Sequence, residues 1–264
     1  MPIPVCLDLA QEVSIRIVSL CPSITKLVFD LEAGSMLVGV TRFCVHPAEG
    51  ASSLQKVGGT KDPHLQTILE LQPDLVLMNR EENRREDAEF LRAQGLNCHF
   101  SHPQTLPSVV DFVEELGALL DRQHQACGVA ENIRKAWDQA RQNSSRRRAL
   151  TWAYLIWRKP WMTVNGSTYI HHLLVEAGGS NVFADLPDPY PAISTHQLAV
   201  QQPETVMLSS EPFPFKDKHI EELSLATGLP STRFRLVDGE LISWHGALTA
   251  EGLRYADRLF ASVR

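Results

Sequence analysis

The chain has 264 residues, of which 44% are hydrophobic and 21% are charged. This is long enough to bury a core and to form either one large domain or two lobes. The net charge of −6 and the isoelectric point near 5.9 argue against nucleic acid as the main partner, because phosphate binding is usually accompanied by a basic face. No segment is long and apolar enough to predict a membrane-spanning helix.

The amino terminus and the cysteines both bear on the compartment. Residues 1–10 contain neither a basic region nor an uninterrupted apolar stretch, so they do not predict a secretion signal. The five cysteines are scattered and form no Cys-x-x-Cys pair, a pattern typical of reduced thiols in a cytosol. The sequence therefore predicts a cytoplasmic protein, or a periplasmic one whose leader is missing from this chain.

The first half of the chain alternates predicted strands and helices. Residues 15–20 are rich in β-branched side chains and predict a strand, after which we expect Ser23 to be the N-cap of a helix that Gly34 ends. A further helix is expected to open at Asp62-Pro63. Other strands are predicted at 36–41, 74–78 and 96–100, and a charged helix at 82–94. Such alternation is typical of a mostly parallel sheet.

A helical region then separates the two halves. Helices are predicted over 108–120 and 126–143, since neither stretch contains proline and each contains a single glycine. At 1.5 Å per residue the second helix would extend about 27 Å, enough to join two lobes as a stiff strut. A helical strut resists bending, so we expect the lobes to close only slightly on a ligand.

The second half repeats the plan of the first. A strand is predicted at 150–156, a helix at 168–177, and a helix followed by a strand from Gln197 onward. Segments 71–78 and 201–208 both place a Gln-Pro-acidic turn before an apolar strand. Turns of this kind also recur by chance, but here they favour two copies of one α/β unit. The sequence thus predicts an α/β protein with two Rossmann-like lobes of mostly parallel sheet, at 13–104 and 148–264. A helical connector spans 105–147, with its long helix at about 126–143.

The usual catalytic motifs are missing from the sequence, so no catalytic residue and no required cofactor is predicted. Residues 58–61 lack the glycine spacing of a phosphate loop. Cys44 and His46 are the best pair of candidate metal ligands, but two ligands without a third make a weak site. We therefore predict no metal site.

An ordered set of segments resembles the helical-backbone metal receptors, the class III family of periplasmic binding proteins. The segments are RIVSLCPS (16–23), VGVT (38–41), KVGG (56–59), LQPDLVL (71–77), GGSNVF (178–183) and YPAIS (190–194). The resemblance is greatest to the cobalamin-binding proteins of ABC importers. It implies a non-catalytic protein that holds a metal chelate, cobalamin or a related corrinoid, between two lobes.

The resemblance also implies which side chains hold the ligand. Phe43, Tyr190 and Trp244 fall where the relatives place aromatic rings, each able to add about 0.5–1.5 kcal/mol against a flat chelate. Arginines in the same loops are expected to bind the chelate rim. The full set of predicted ligand-binding residues is Pro22, Ser23, Arg42, Phe43, Thr60, Asn79, Arg80, Glu81, Trp157, Arg158, Trp161, Tyr190, Glu211, Phe213, Trp244 and His245.

Two departures from the family pattern keep alternatives open. Thr60 and Asn79 stand where a cobalamin binder carries tryptophan, so a siderophore, haem or a cobalamin precursor are alternative ligands. The group Cys44, His46, Glu81 and His245 keeps a cytosolic corrinoid-handling enzyme as an alternative function.

The resemblance implies an ABC permease as a partner, docked through one acidic residue on each lobe. Those positions are Gln66 and His196 here, so docking by that mechanism should be weak. Glu70 and Glu204 are the nearby acidic substitutes. A carrier or sensor without a transporter is the remaining alternative.

Overall fold

The computed structural model describes residues 15–246 and 248–262. The predicted lobe limits at 13 and 264, and the segment 1–10, lie outside these residues. The helices are α1 (Pro22–Asp30), α2 (Ala48–Ser52), α3 (Leu65–Glu70), α4 (Arg85–Ala93), α5 (Leu106–Leu119), α6 (Gln123–Ser144), α7 (Tyr169–Glu176), α8 (Thr195–Gln201), α9 (Asp217–Thr227), α10 (Gly239–Ser243) and α11 (Leu248–Ser262). The strands are β1 (Ile17–Ser19), β2 (Leu37–Val40), β3 (Gln55–Lys56), β4 (Leu75–Asn79), β5 (Cys98–Ser101), β6 (Leu150–Leu155), β7 (Trp161–Met162), β8 (Gly179–Asn181), β9 (Ala192–Ile193), β10 (Thr205–Ser209) and β11 (Phe234–Val237).

The first lobe is built on a parallel five-stranded sheet in the order β3-β2-β1-β4-β5. All five residues of β4 are buried, as expected of a strand covered by helices on both faces. Because the strands are parallel, their carboxyl ends at Ser19, Val40, Asn79 and Ser101 lie at one edge of the sheet. The loops that leave this edge carry the predicted ligand-binding residues of the first lobe.

The second lobe has its own parallel sheet, in the order β11-β10-β6-β8. A small antiparallel pair, β7 and β9, joins Trp161 to Ile193 beside it. The carboxyl ends of the three longer strands, at Leu155, Ser209 and Val237, again share one edge. The two sheets are separate, which confirms the predicted α/β fold with mostly parallel sheets.

The helix α6 follows the first sheet along the chain and precedes the second, and its 22 residues correspond to a length of about 33 Å. Its buried side chains are mostly alanines, spaced three or four residues apart: Ala126, Ala130, Ile133, Ala136 and Ala140. Small side chains let α5 and α11 pack closely on it. One apolar cluster includes residues of α1, α5, α6, α7 and α11, so the connector shares its core with both lobes.

Helix starts differ from the sequence predictions by two or three residues: α4 begins at Arg85 instead of 82, α5 at Leu106 instead of 108, and α6 at Gln123 instead of 126. Two further differences have a clear structural reason. Cys21, not Ser23, is the N-cap of α1, because Pro22 occupies the first turn and its fixed φ suits that position. Ser23 lies inside the helix, with its hydroxyl 3.3 Å from the sulfur of Cys21. The helix expected at Asp62-Pro63 begins only at Leu65, since Pro63 pairs with Gly58 in an isolated bridge.

Candidate functional site

Asn79, the last residue of β4, connects the two lobes. Its side-chain amide donates to Ser101 Oγ at 3.3 Å and lies 3.1 Å from Nε2 of His245. Its Oδ1 accepts from the backbone N–H groups of Glu81 and Glu82. These backbone donors fix the orientation of the amide, so the nitrogen faces His245 and donates to it. The side chain that the sequence predicted as a ligand contact is 3% exposed and is occupied by protein partners.

His245 is held in a buried site between the lobes. Its ring contacts the edges of Phe112 and Tyr169, with centroid distances of 5.5 and 6.0 Å. Because Nε2 accepts a hydrogen bond from Asn79, the proton lies on Nδ1, which has no hydrogen-bond partner within 15–246 and 248–262. Burial, together with the nearby His102, lowers the pKa of His245 to about 4. The imidazole is therefore neutral near pH 7.

Trp244 and Glu211 form a second contact at the same edge of the second lobe. The indole Nε1 of Trp244 donates to Glu211 at 2.6 Å, and Ser243 Oγ donates to the same carboxylate oxygen at 3.0 Å. Burial raises the pKa of Glu211 despite these donors, and the negative charges of Glu240 and Glu82 act in the same direction. Trp244 is only 9% exposed, so most of its ring surface is covered by protein.

His46 of the first lobe reaches the second lobe beside Trp244. Its Nε2 lies 3.3 Å from a carboxylate oxygen of Glu240, and its ring contacts the Trp244 ring at a centroid distance of 5.8 Å. This imidazole thus contributes to the contact between the lobes.

Cys44 does not belong to that contact, although the sequence grouped it with His46, Glu81 and His245. It is buried at 1% exposure, and its sulfur lies 3.1 Å from the hydroxyls of both Thr25 and Thr41. Burial raises the pKa of this thiol, which disfavours the thiolate that binds metals. In the described part of the chain, no group of three His, Cys, Asp or Glu side chains is arranged to hold a metal ion.

Tyr190 and Glu81 form another contact between the lobes. Burial raises the pKa of the Tyr190 phenol, and the adjacent carboxylate of Glu81, which shares a hydrogen bond with it, adds to the shift. Glu81 also lies 3.6 Å from Nε2 of His102. Tyr190 packs against the apolar cluster that runs through the connector, so part of its ring supports the fold.

Two aromatic rings in the loops after the strands are exposed to solvent, and a third lies beside one of them. Phe43 of the first lobe is 49% exposed, and Trp157 of the second is 39% exposed. Phe213 is partly buried and contacts Trp157 at a centroid distance of 5.8 Å. Large exposed rings in loops from both lobes are the surfaces that a flat apolar ligand would cover.

The predicted arginines differ in how firmly they are held. Arg158 makes two hydrogen bonds to Glu222, at 3.0 and 2.9 Å. A hydrogen bond from Arg158 to the rim of a chelate would therefore compete with this ion pair. Arg42 pairs with Asp62 while its guanidinium lies 4.8 Å from the Phe43 ring. Arg80 is exposed directly after β4.

The remaining predicted residues contribute through backbone or packing. Trp161 stacks on Phe215 at 6.1 Å, and the carbonyl of Thr60 accepts a hydrogen bond from Asn83. Pro22 is partly buried and Ser23 is 8% exposed. The structure thus places these residues at the expected sheet edges. There they act mainly through packing and backbone hydrogen bonds.

Several residues at the boundary between the lobes were missed from the sequence. Gln104 donates to the carbonyl of Ser167 at 2.6 Å across the lobes, and Asn83 binds the carbonyl of Leu20. Glu240 pairs with His46, and His102 pairs with Glu81; both partners were named from the sequence. Asn83 could have been identified as an asparagine four residues after a strand end. Gln104, Glu240 and His102 could not, because their partners are distant in the sequence and no local pattern indicates them.

Two concavities lie away from this edge. One, of about 410 Å³, is lined by residues before and on α8, including Phe183, Leu186, His196 and Val200. The other, of about 610 Å³, lies between the end of α1 and the start of α6. Neither contains a predicted ligand-binding residue, so neither is the candidate site.

The positions expected to dock a permease are exposed but carry no fixed charge. Gln66 lies 3.4 Å from Glu70 through their side chains, and His196 is at the start of α8. Glu204 does not supply a free substitute charge, because Arg148 pairs with it and Thr151 donates to it. These contacts lower the pKa of Glu204 to about 2.

Two separate parallel sheets joined by a long helix, with strand-end loops in contact, define a two-lobed ligand-binding protein. The comparisons agree: the chain belongs to the periplasmic binding protein family, whose model matches residues 17–232. The resemblance inferred from the sequence motifs is thereby confirmed. Within the described residues, no helix combines the length and apolar character needed to cross a membrane.

Individual relatives are similar over most of the chain. A vitamin B12-binding protein of Vibrio parahaemolyticus is 29% identical over 203 residues, which cover 77% of this chain and 74% of the relative. The crystal structure of a periplasmic vitamin B12-binding protein of Vibrio cholerae has a TM-score of 0.81 at 21% identity, covering 94% of this chain and 97% of that one. A periplasmic haem-binding protein of Roseiflexus has the same TM-score and identity, with coverage of 95% and 98%.

Proposed function

We propose that this chain is a non-catalytic binding protein for a metal chelate of the corrinoid class, cobalamin or a close relative, held between its lobes. The observation that carries the proposal is the meeting of strand-end loops from both sheets. Asn79 contacts His245, and His46 contacts Glu240 and Trp244. Open α/β sheets generally bind ligands at this edge.

The exposed rings of Phe43 and Trp157 support a ligand with apolar faces. Each ring exposes aromatic surface to water from a loop beside the lobe boundary, and covering such surface stabilises a complex by about 25 cal/mol per Å². A corrin offers a broad face for this purpose. The sequence relatives are named as vitamin B12-binding proteins, which supports the corrinoid class, and the structural neighbours are named for binding vitamin B12 or haem.

The absence of catalytic motifs from the sequence and the binding role in the relatives' names support a function without catalysis. The role includes delivery to an ABC permease, although Gln66 and His196 offer no acidic pair for docking. A cytoplasmic location stays a prediction, and the family that matches is described as periplasmic.

The proposal is tested by titrating the protein with hydroxocobalamin, haemin and ferric siderophores, followed by calorimetry and absorbance. We expect saturable binding of the corrinoid, at one ligand per chain, with a dissociation constant below about 1 μM, or about −8 kcal/mol. The corrinoid should be recovered chemically unchanged. If none of the chelates binds more tightly than about 1 mM, the proposed function is wrong.

A further inference from the structure

Two potential metal ligands follow β2, and the structure separates them. Cys44 and His46 are two residues apart. The Cys44 sulfur is buried, 3.1 Å from the hydroxyls of both Thr25 and Thr41. The His46 side chain is 45% exposed and reaches the second lobe. Of the two, only the imidazole is therefore open to a ligand at the lobe boundary.

The loop that carries His46 is held on both sides of this residue. Lys56 Nζ donates to the backbone carbonyls of Cys44 and Ala51, at 3.3 and 2.8 Å. Pro47, which follows His46, is the N-cap of α2. The imidazole thus projects from a backbone that is supported before and after it, and such support holds a ligating side chain in a defined position.

The two nitrogens of the His46 ring have different surroundings. Nε2 lies 3.3 Å from a carboxylate oxygen of Glu240, and this negative charge favours a proton on Nε2. Within residues 15–246 and 248–262, no group forms a hydrogen bond with Nδ1. In the neutral ring, Nδ1 therefore keeps its lone pair. Histidines that bind metals commonly have this arrangement, with a carboxylate beside the nitrogen that does not bind the metal.

A single imidazole is enough for a metal that is already chelated. A free ion requires several protein ligands, and the described part of the chain offers no such group. A corrin ring instead supplies all the in-plane nitrogens and leaves only the axial positions of its cobalt to other ligands. A neutral imidazole is a ligand that suits transition metals of this kind.

His46 lies beside aromatic surface that a flat chelate would cover. Phe43 is three residues earlier in the same loop, and its ring is 49% exposed. The ring of Trp244 contacts the His46 ring at a centroid distance of 5.8 Å. An axial ligand must approach the metal from the face of the macrocycle, and aromatic rings cover that same face. The loop therefore offers both kinds of contact at one place.

We propose that Nδ1 of His46 binds the metal of the chelate at an axial position, so that the site favours chelates with an exchangeable axial ligand over chelates without one. This inference rests on the proposed function, because it concerns the ligand of the same site. For hydroxocobalamin near neutral pH, the axial water leaves as the cobalt–nitrogen bond forms. The cobalt stays trivalent, and no electron is transferred.

The test compares hydroxocobalamin with cyanocobalamin, which share the corrin ring and its rim and differ in the axial ligand on the exchangeable face. At pH 7 we expect calorimetry to show binding of hydroxocobalamin that is tighter by about tenfold or more. The visible absorbance bands of hydroxocobalamin should shift on binding, as they do with free imidazole, whereas those of cyanocobalamin should change little. Unshifted hydroxocobalamin bands overturn the inference, and saturable binding of cyanocobalamin then leaves the proposed function standing.

Variants assign the axial contact to His46. His46→Gln should abolish the absorbance shift and reduce the affinity ratio to about threefold or less. Its affinity for cyanocobalamin should stay within about twofold of the wild type, which also shows that the variant is folded. His124→Gln is the matched control, because His124 is an exposed residue of α6, and this variant should retain the shift.

His102→Gln tests the competing assignment, because His102 also lies beside a glutamate of the boundary, 3.6 Å from Glu81. This variant should retain the shift as well. A shift that survives in His46→Gln, or one that is lost in His102→Gln while cyanocobalamin still binds, contradicts the assignment to His46. Failure of both corrinoids to bind the wild type overturns the proposed function together with this inference.

Discussion

The amide of Asn79 donates a hydrogen bond of 3.1 Å to Nε2 of His245, and so joins the end of a strand in one lobe to the edge of the other. The partners of Asn79 Oδ1 are backbone N–H groups, which leaves the amide a single orientation. His245 in turn must be neutral and must carry its proton on Nδ1. One buried pair therefore couples the lobe contact to the protonation state of a histidine.

Replacing Asn79 should weaken the fold as well as the contact. Asn79→Ala removes the donor to His245 and leaves the buried Nε2 of that ring unsatisfied, so we expect a loss of about 1–3 kcal/mol in the free energy of unfolding. Urea denaturation measures it. Asn97→Ala, at an exposed position, is the control and should cost less than about 0.5 kcal/mol. Equal effects of the two substitutions would show that the Asn79 contacts contribute nothing.

The protein should lose stability as the pH falls from about 6.5 to 4. Burial lowers the pKa of both His245 and His171 to about 4, so between these values the unfolded chain binds more protons than the folded one. The contribution of these two histidines to the free energy of unfolding therefore decreases with falling pH, by up to about 1.4 kcal/mol per pH unit for each.

The contribution of His245 can be isolated by substitution. His245→Gln retains an acceptor for Asn79 but has no titrating group, so its unfolding free energy should fall less steeply between pH 6.5 and 4. Urea titrations at several pH values give this slope. A slope identical to that of the wild type would mean that His245 is protonated as readily in the folded protein as in the unfolded chain.

Phe43 should contribute to ligand affinity without contributing to stability. Its ring is 49% exposed, so Phe43→Ala should leave the melting temperature within about 1 °C, while the affinity for hydroxocobalamin falls about threefold to tenfold from the loss of a ring contact. Phe90→Ala provides a matched control, because Phe90 is 43% exposed on α4 and is not a residue of the strand-end loops. Calorimetric titration measures the affinity of each variant for hydroxocobalamin. Similar affinities of the two variants would show that Phe43 does not contact the ligand.

The cysteines should differ widely in reactivity. Burial raises the pKa of Cys21 to about 12 and also raises that of Cys44, whereas Cys127 is exposed on α6. In a Cys6→Ser background, iodoacetamide at pH 8 should label Cys127 first and the buried thiols of Cys21, Cys44 and Cys98 only after unfolding. Mass spectrometry of the digested protein identifies the labelled site. Early labelling of Cys44 would contradict its buried position against Thr25 and Thr41.

The two lobes were predictable because they depend on local patterns. The β-branched run before Pro22 and the repeated Gln-Pro-acidic turns each determine an element by its own residues, and the structure places strands there. The helix start at Leu65 was missed, because Asp62 pairs with Arg42 and Pro63 with Gly58. Those are tertiary partners, and no property of the Asp-Pro pair itself reveals them.

The site was predictable only to the level of its loops. Sequence and family resemblance placed Asn79, Glu211 and Trp244 in strand-end loops. In the structure Asn79 ends β4 and Glu211 follows β10, whereas Trp244 is the C-cap of α10. That Asn79 would bind His245, and that Trp244 would donate to Glu211, depends on how the two lobes face one another. The same holds for Cys44, whose burial is set by Thr25 in a different element.

Binding of a metal chelate between the lobes can be measured by hydrogen–deuterium exchange with and without saturating hydroxocobalamin. A ligand held there should slow exchange in strand-end loops of both lobes, at residues 41–47 and 79–83 in the first and 156–161 and 210–215 in the second, with little change along α6. Protection confined to one lobe, or to the concavity beside α8, would contradict binding between the lobes.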